Sequence, residues 1–254
     1  MYRSLKPIFL LLVSILLISS CKKEEINPEP LEQLSQYTLG NATSIGIPVS
    51  NPTGIASDQT NFWIMSGEHN GNQHELTYYD PINQTIIEQF SYYNLIEVLG
   101  TGIYGVTWDG TNVWISVSGN TNKLVKVDVQ TGDIIQTWGN PTWLGPSDLG
   151  WDGEKIWIAS GTGQIYSMNA STGESQQLLN DVGESSRDSG IAFRNGELWI
   201  GNLFNNDVNI YSALDGSYHG VIKNALSAKG NFCFHDGQLA VISSGGIALY
   251  DVIE

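Results

Sequence analysis

Basic residues are scarce in this chain: 11 Lys and Arg stand against 26 Asp and Glu, a formal net charge of −15 over 254 residues. A surface of that sign repels phosphate backbones and anionic headgroups, which argues against nucleic acid as a partner. Cysteine is scarcer still. Cys21 and Cys233 are the only two, so no disulfide framework is available and the fold must rest on a buried core. The one long apolar run, Ile8 to Ile18, is too short for a comfortable membrane span, and no second run follows it. Motif chemistry is thin as well. The chain has no nucleophile motif, no phosphate-binding glycine loop and no defensible retaining pair of carboxylates.

What is present begins at the N-terminus. Arg3 and Lys6 precede the apolar run, which ends Leu17-Ile18-Ser19-Ser20-Cys21. An aliphatic residue and two small ones before a cysteine resemble the lipobox of bacterial lipoproteins. That resemblance implies cleavage before Cys21 and acylation of its thiol and amine, making the membrane a partner through that residue. Lys22-Lys23-Glu24-Glu25 is similar to the surface-export signal of Bacteroidota lipoproteins. It implies an outer-membrane lipoprotein facing the cell surface, the alternative being a periplasm-facing one. Residues 1–20 therefore read as a signal peptide, and 21–36, with Pro28, Pro30 and several Glu, as the lipidated cysteine and a polar tether.

Residues 37–254 carry a repeat. An apolar residue is followed eight positions later by the centre of a second strand: Ile55 to Trp63, Val106 to Trp114, Leu149 to Trp157, Ile191 to Trp199, Phe232 to Ala240. A turn rich in Asp, Asn and Gly separates each pair, as in Asp109-Gly110-Thr111-Asn112. Short alternating strands repeating about every 40–50 residues predict an all-β, five-bladed β-propeller. The last copy ends at Glu254 without a fourth strand. The segment Gln36 to Ser50 is placed to supply it, closing the ring and covering an open edge. One position after the apolar column stand Ala56, Thr107, Gly150, Ala192 and Cys233, all small, as convergence on a propeller axis requires. On this reading Cys233 and the tryptophan column are core.

Candidate sites follow from the irregularities. The loop after the second strand is longest in blade one, and the crossing into blade two is also extended, so both fall on one rim. The first extension offers Glu68, His69, His74 and Glu75, either as a metal or acid–base set or as ordinary polar loop residues. The second offers Tyr92 and Tyr93, with Tyr104 at the mouth, as exposed aromatics for ligand stacking or as packing for the loop. Trp143 is a further exposed aromatic candidate. At the axial mouth Asp148 and Asn231 replace glycine in the column Gly54, Gly105, Gly190. With Asp188 nearby they can present oxygens to Ca²⁺, whereas Arg187 and Lys229 on the same rim oppose that or clamp an anionic group. A plain water-filled channel is the alternative, and no other cofactor is expected.

The stretch Gly105-Val106-Thr107-Trp108-Asp109-Gly110 through Val113-Trp114-Ile115, continuing to Thr131-Gly132, resembles blades of NHL, YVTN-type, streptogramin lyase and gluconolactonase propellers. The blade count is similar to that of plant-type glutaminyl cyclases, although no glutamate-rich motif of that family aligns. These resemblances imply a fold shared by enzymes and binding proteins alike. The function expected is a lipid-anchored, non-catalytic module binding a protein, peptide or glycan through the loop face of blades one and two. The alternative is an enzyme at the axial mouth, either a glutaminyl cyclotransferase or a metal-assisted lyase or lactonase.

Overall fold

The computed structural model describes residues 35–67, 73–92, 102–118, 122–141, 145–180, 190–202, 205–225 and 230–254, all within the compact unit Glu32–Glu254. Cys21, Glu68, His69, Tyr93, Trp143, Arg187, Asp188 and Lys229 lie outside the described residues. Twenty strands, and no helix among the described residues, form five antiparallel four-stranded sheets.

The chain opens with β1 (Thr38–Ile45). Blade one then comprises β2 (Pro52–Ser57), β3 (Phe62–Gly67), β4 (His74–Asp80) and β5 (Thr85–Ser91). Blade two is β6 (Gly102–Trp108), β7 (Val113–Ser118), β8 (Lys123–Val127) and β9 (Ile134–Gly139). Blade three is β10 (Pro146–Trp151), β11 (Lys155–Ser160), β12 (Ile165–Asn169) and β13 (Ser175–Leu179). Blade four is β14 (Ile191–Arg194), β15 (Glu197–Gly201), β16 (Val208–Ser212) and β17 (Tyr218–Ile222). Blade five joins β18 (Phe232–His235), β19 (Gln238–Ser243) and β20 (Gly246–Ile253) to β1. The ring is a five-bladed β-propeller closed by its N-terminal strand, with Thr38 opposite Ile253 and Ile45 opposite Ile247. The innermost strands β2, β6, β10, β14 and β18 touch one another in a closed cycle.

The apolar column and the tryptophans fill the spaces between blades. Val106 joins Trp63 and Met65 of blade one, Leu149 joins Trp114 of blade two, and Phe232 joins Trp199 of blade four. All four column tryptophans are buried. The strand-one-to-two turn explains why tryptophan recurs there. In blades two and three Asp109 and Asp152 cap the turn with Oδ1, accepting two backbone N–H groups each. Their Oδ2 accepts the indole N–H of Trp114 and Trp157, both at 2.8 Å. One carboxylate thus fixes both the turn and the indole orientation. Blade one diverges: Asp58 Oδ2 accepts the Tyr78 hydroxyl instead, and Trp63 stacks on Tyr78 with centroids 4.3 Å apart. In blades four and five the turns Asn195-Gly196 and Asp236-Gly237 have both central residues at positive φ, the primed hairpin geometry those residues favour.

A second recurrent contact ties the rim. The strand-three-to-four turn glycines, at φ of +74° to +76°, sit against the outer strand of the preceding blade: Gly132 on Phe90, Gly173 on Trp138, Gly216 on Leu179. A Cβ at any of them would come within 2.6 Å of those side chains. Glycine is required there both for φ and for space.

Candidate ligand cavity on the propeller axis

The two ends of the axis differ. Toward the loop face, polar side chains of the described residues occupy the axis. Asp148 is fully buried. Its Oδ2 accepts the Ile191 N–H at 3.1 Å, and the N–H groups of Leu149, Phe232 and Val106 also face the carboxyl. Asn231 does the complementary work on carbonyls: its Nδ2 donates to Thr53 O at 2.6 Å and to Ser147 O at 3.4 Å. Inner strands converging on an axis leave amide groups that cannot pair with a neighbouring strand. Asp148 and Asn231 satisfy them where glycine could not. Burial pushes the Asp148 carboxyl well above the usual carboxylate range despite those N–H donors.

This placement bears on the expected Ca²⁺ site. Asp148 and Asn231 do come together on the axis, as the sequence suggests. The carboxyl, however, is surrounded by N–H donors and the amide turns its own donor toward carbonyls, an arrangement suited to hydrogen bonding rather than to oxygen ligation of a cation. Among the described residues no group of three or more His, Cys, Asp or Glu is placed to hold a metal ion.

The blade one and two rim also differs from expectation. His74 is not a loop residue: the β3–β4 ladder runs on to pair Gly67 with His74, which buries the imidazole to 1% exposure. Glu75 sits within β4 and accepts from Gln89 Nε2 at 3.0 Å. Tyr92 is 8% exposed and donates its hydroxyl to Gly132 O, so it is buried between blades one and two and is not an exposed stacking surface. Burial raises its phenol pKa. Tyr104 is half-buried at the mouth, its ring against Gly102 and its carbonyl against Gly54. Of the expected rim set, His74 and Tyr92 are thus core residues.

The opposite end of the axis is open. On the face of the strand-one-to-two turns lies a cavity of about 260 Å³, walled at depth by the small column Ala56, Thr107, Gly150, Ala192 and Cys233. Burial raises the Cys233 thiol pKa, and the Asp148 charge adds to it, so the thiol is a small wall residue and not an activated nucleophile. Nearer the opening the next register position supplies Ser57, Trp108, Trp151, Phe193 and Phe234, an aromatic collar interrupted only at blade one. The collar rings brace against the core of the preceding blade. Trp108 stacks on Trp63 at 6.0 Å, and Phe234 meets Trp199 edge-on at 5.2 Å. The gap at blade one is polar but internally committed. Ser57 Oγ bonds His235 Nδ1 at 2.8 Å. The Gln59 amide accepts from Asp236 N and donates to Phe234 O.

The fold recurs in known structures. No family model and no curated protein matches the sequence. Among solved structures, the Myxococcus xanthus glutaminyl cyclase is similar over 87% of this chain and 100% of its own, with a TM-score of 0.65 and 12% identity. A chain of a nidogen/laminin complex is similar over 69% of this chain and 65% of its own, with a TM-score of 0.53 and 13% identity. Identities this low establish a shared architecture and carry no chemistry.

The collar was open to view in the sequence as an aromatic column two residues beyond the apolar one. Spacing alone does not reveal that the strands stand far enough apart below the small column to leave a cavity.

Proposed function

We propose that this chain is a lipid-anchored envelope protein that binds a small ligand, without transforming it, in the axial cavity on the turn face. The observation that carries this reading is the aromatic collar of Trp108, Trp151, Phe193 and Phe234 around an open cavity of about 260 Å³. Concave walls that combine aromatic side chains with a few polar groups on a rigid scaffold are the usual form of a small-molecule seat. An enzyme would need convergent, uncommitted acid–base or nucleophilic groups within reach of that space. Around this cavity Asp58, Gln59 and Ser57 are engaged in holding their own turns and neighbours. Anchoring rests on the Ser19-Ser20-Cys21 sequence after the apolar run.

The catalytic alternative draws on the architecture shared with a glutaminyl cyclase and on the axial mouth of the loop face, where Asp148 and Asn231 are spent on backbone groups. One experiment separates the two. A panel of small neutral and charged compounds is titrated into the purified protein while the indole N–H resonances of Trp108 and Trp151 are followed, and turnover of glutaminyl peptides and lactones is assayed in parallel. Shifts at the two indoles without turnover are the expected result. Turnover that persists unchanged in a Trp151→Leu variant and is lost in Asp148→Asn would overturn the reading in favour of the enzyme. In cells, Cys21→Ser is expected to abolish acyl labelling and release the protein from the membrane fraction.

A further inference from the structure

The cavity walls also discriminate between kinds of ligand. A sugar or other neutral polar molecule must replace the water hydrogen bonds it leaves behind. The polar sector at blade one offers little in return. Asp58 Oδ1 holds the N–H groups of Thr60 and Asn61, its Oδ2 holds the Tyr78 hydroxyl, and the Gln59 amide is bonded at both ends. An anion fares worse, because among the described residues no basic side chain lines the cavity. Arg194 lies over the Phe234 ring at 5.4 Å, donates to Gly237 O and pairs with Glu254.

A cation meets the reverse situation. Trp108, Trp151 and Phe193 line the cavity at one register with no cation over their rings among the described residues, and each packs against the interblade core, which orders it before any ligand arrives. The face through which the ligand enters is acidic. Its strand-one-to-two turns carry Asp58, Asp109, Asp152, Glu154, Glu197 and Asp236 against Lys155 and Arg194, with Lys126 paired to Asp109. That field concentrates cations at the opening of the cavity. A bare ammonium holds its water too tightly to enter an apolar wall, whereas an alkylated one sheds water readily and keeps its charge.

We infer that the axial cavity is a seat for a small, soluble alkylammonium ion, recognised by the aromatic collar and drawn in by the acidic turn face. This rests on the assignment of the cavity as the ligand site. The test compares choline with its neutral carbon isostere, dimethylbutanol, by calorimetric titration of the purified protein at low and high salt. Choline is expected to bind about tenfold more tightly than the isostere, consistent with a cation–π contribution at a partly desolvated site. Its affinity should fall several-fold at high salt. Trp151→Leu should lose about tenfold in choline affinity, measured well below a melting midpoint that the lost packing on the Trp114 cluster is expected to lower. Equal binding of the two probes, or no binding of choline, overturns the inference whatever the variant does. If a neutral compound still shifts the Trp108 and Trp151 indoles, the cavity reading survives that failure. If no compound does, both readings fall together.

Discussion

Asp148 Oδ2 accepts the Ile191 N–H at 3.1 Å, tying blade three to blade four on the propeller axis. The bond sits where the inner strands have run out of strand partners, so the side chain completes a ladder that geometry cuts short. Asp148→Ala is expected to cost about 2–3 kcal/mol, measured by urea unfolding, because it leaves buried N–H groups unsatisfied. The same site carries a pH signature. With its folded pKa raised, the folded state retains a proton that the unfolded chain releases above about pH 4. This contribution to stability is therefore present at low pH and declines as pH rises toward the folded value. The stability of Asp148→Asn relative to wild type should improve as pH increases over that range. A pH-independent difference would contradict it.

Gly105 stands against the same carboxyl. A Cβ there would lie 2.5 Å from Asp148 Cα and 2.7 Å from its Oδ1. Gly105→Ala is expected to destabilise by about 1–3 kcal/mol through overpacking at a point where backbone, not a flexible side chain, must yield. Thermal unfolding of the single variant checks this.

Asp152 holds two turn amides and the Trp157 indole. Asp152→Ala should cost about 1–2 kcal/mol and alter tryptophan emission. Asp58→Ala breaks the turn in the same way but releases Tyr78 instead of an indole, so its effect on emission should be smaller. Equal spectral changes in the two variants would count against the assigned partners.

His235 is buried, bonded to Ser57 and set against the Phe62 ring at 4.3 Å. Burial lowers its pKa, with the charges of Asp236 and Asp58 opposing. The unfolded chain then binds a proton that the folded state refuses. Stability is complete above about pH 6.5 and is lost as pH falls from there toward the folded value. His235→Gln should flatten this limb of the pH–stability curve, as followed by unfolding midpoints between mildly acidic and neutral pH.

Much of this architecture was legible in the sequence, and the reason is periodicity. The eight-residue step from Ile55 to Trp63 and its copies counts the blades, and the missing fourth strand after Asp251 points to β1. The small column with Cys233 follows from the same register and lines the axis as expected. Site residues resisted because exposure is not periodic. Sequence separation made His74 look like loop, but extension of the β3–β4 ladder by cross-strand pairing draws it into the core. Asp148 and Asn231 were visible as departures from glycine, yet whether a polar group on an axis faces solvent or backbone depends on how tightly the strands converge. The collar needed that same radius to be read as a wall.

The closure of blade five by β1 has a consequence for how the molecule comes into being. Thr38 to Ile45 are among the first residues of the propeller to be synthesised, yet their partners, Ile247 to Ile253, are among the last. The ring therefore cannot lock until nearly the whole chain is available, and its final step closes the longest loop the topology contains. Until then β1 waits as an unpaired strand, vulnerable to pairing with another copy. Deleting residues 37–47 should leave four blades with native-like cores but raise aggregation above that of the full chain, read by light scattering. The clasp that gives the finished ring its permanence is also the stage at which assembly is most exposed to error.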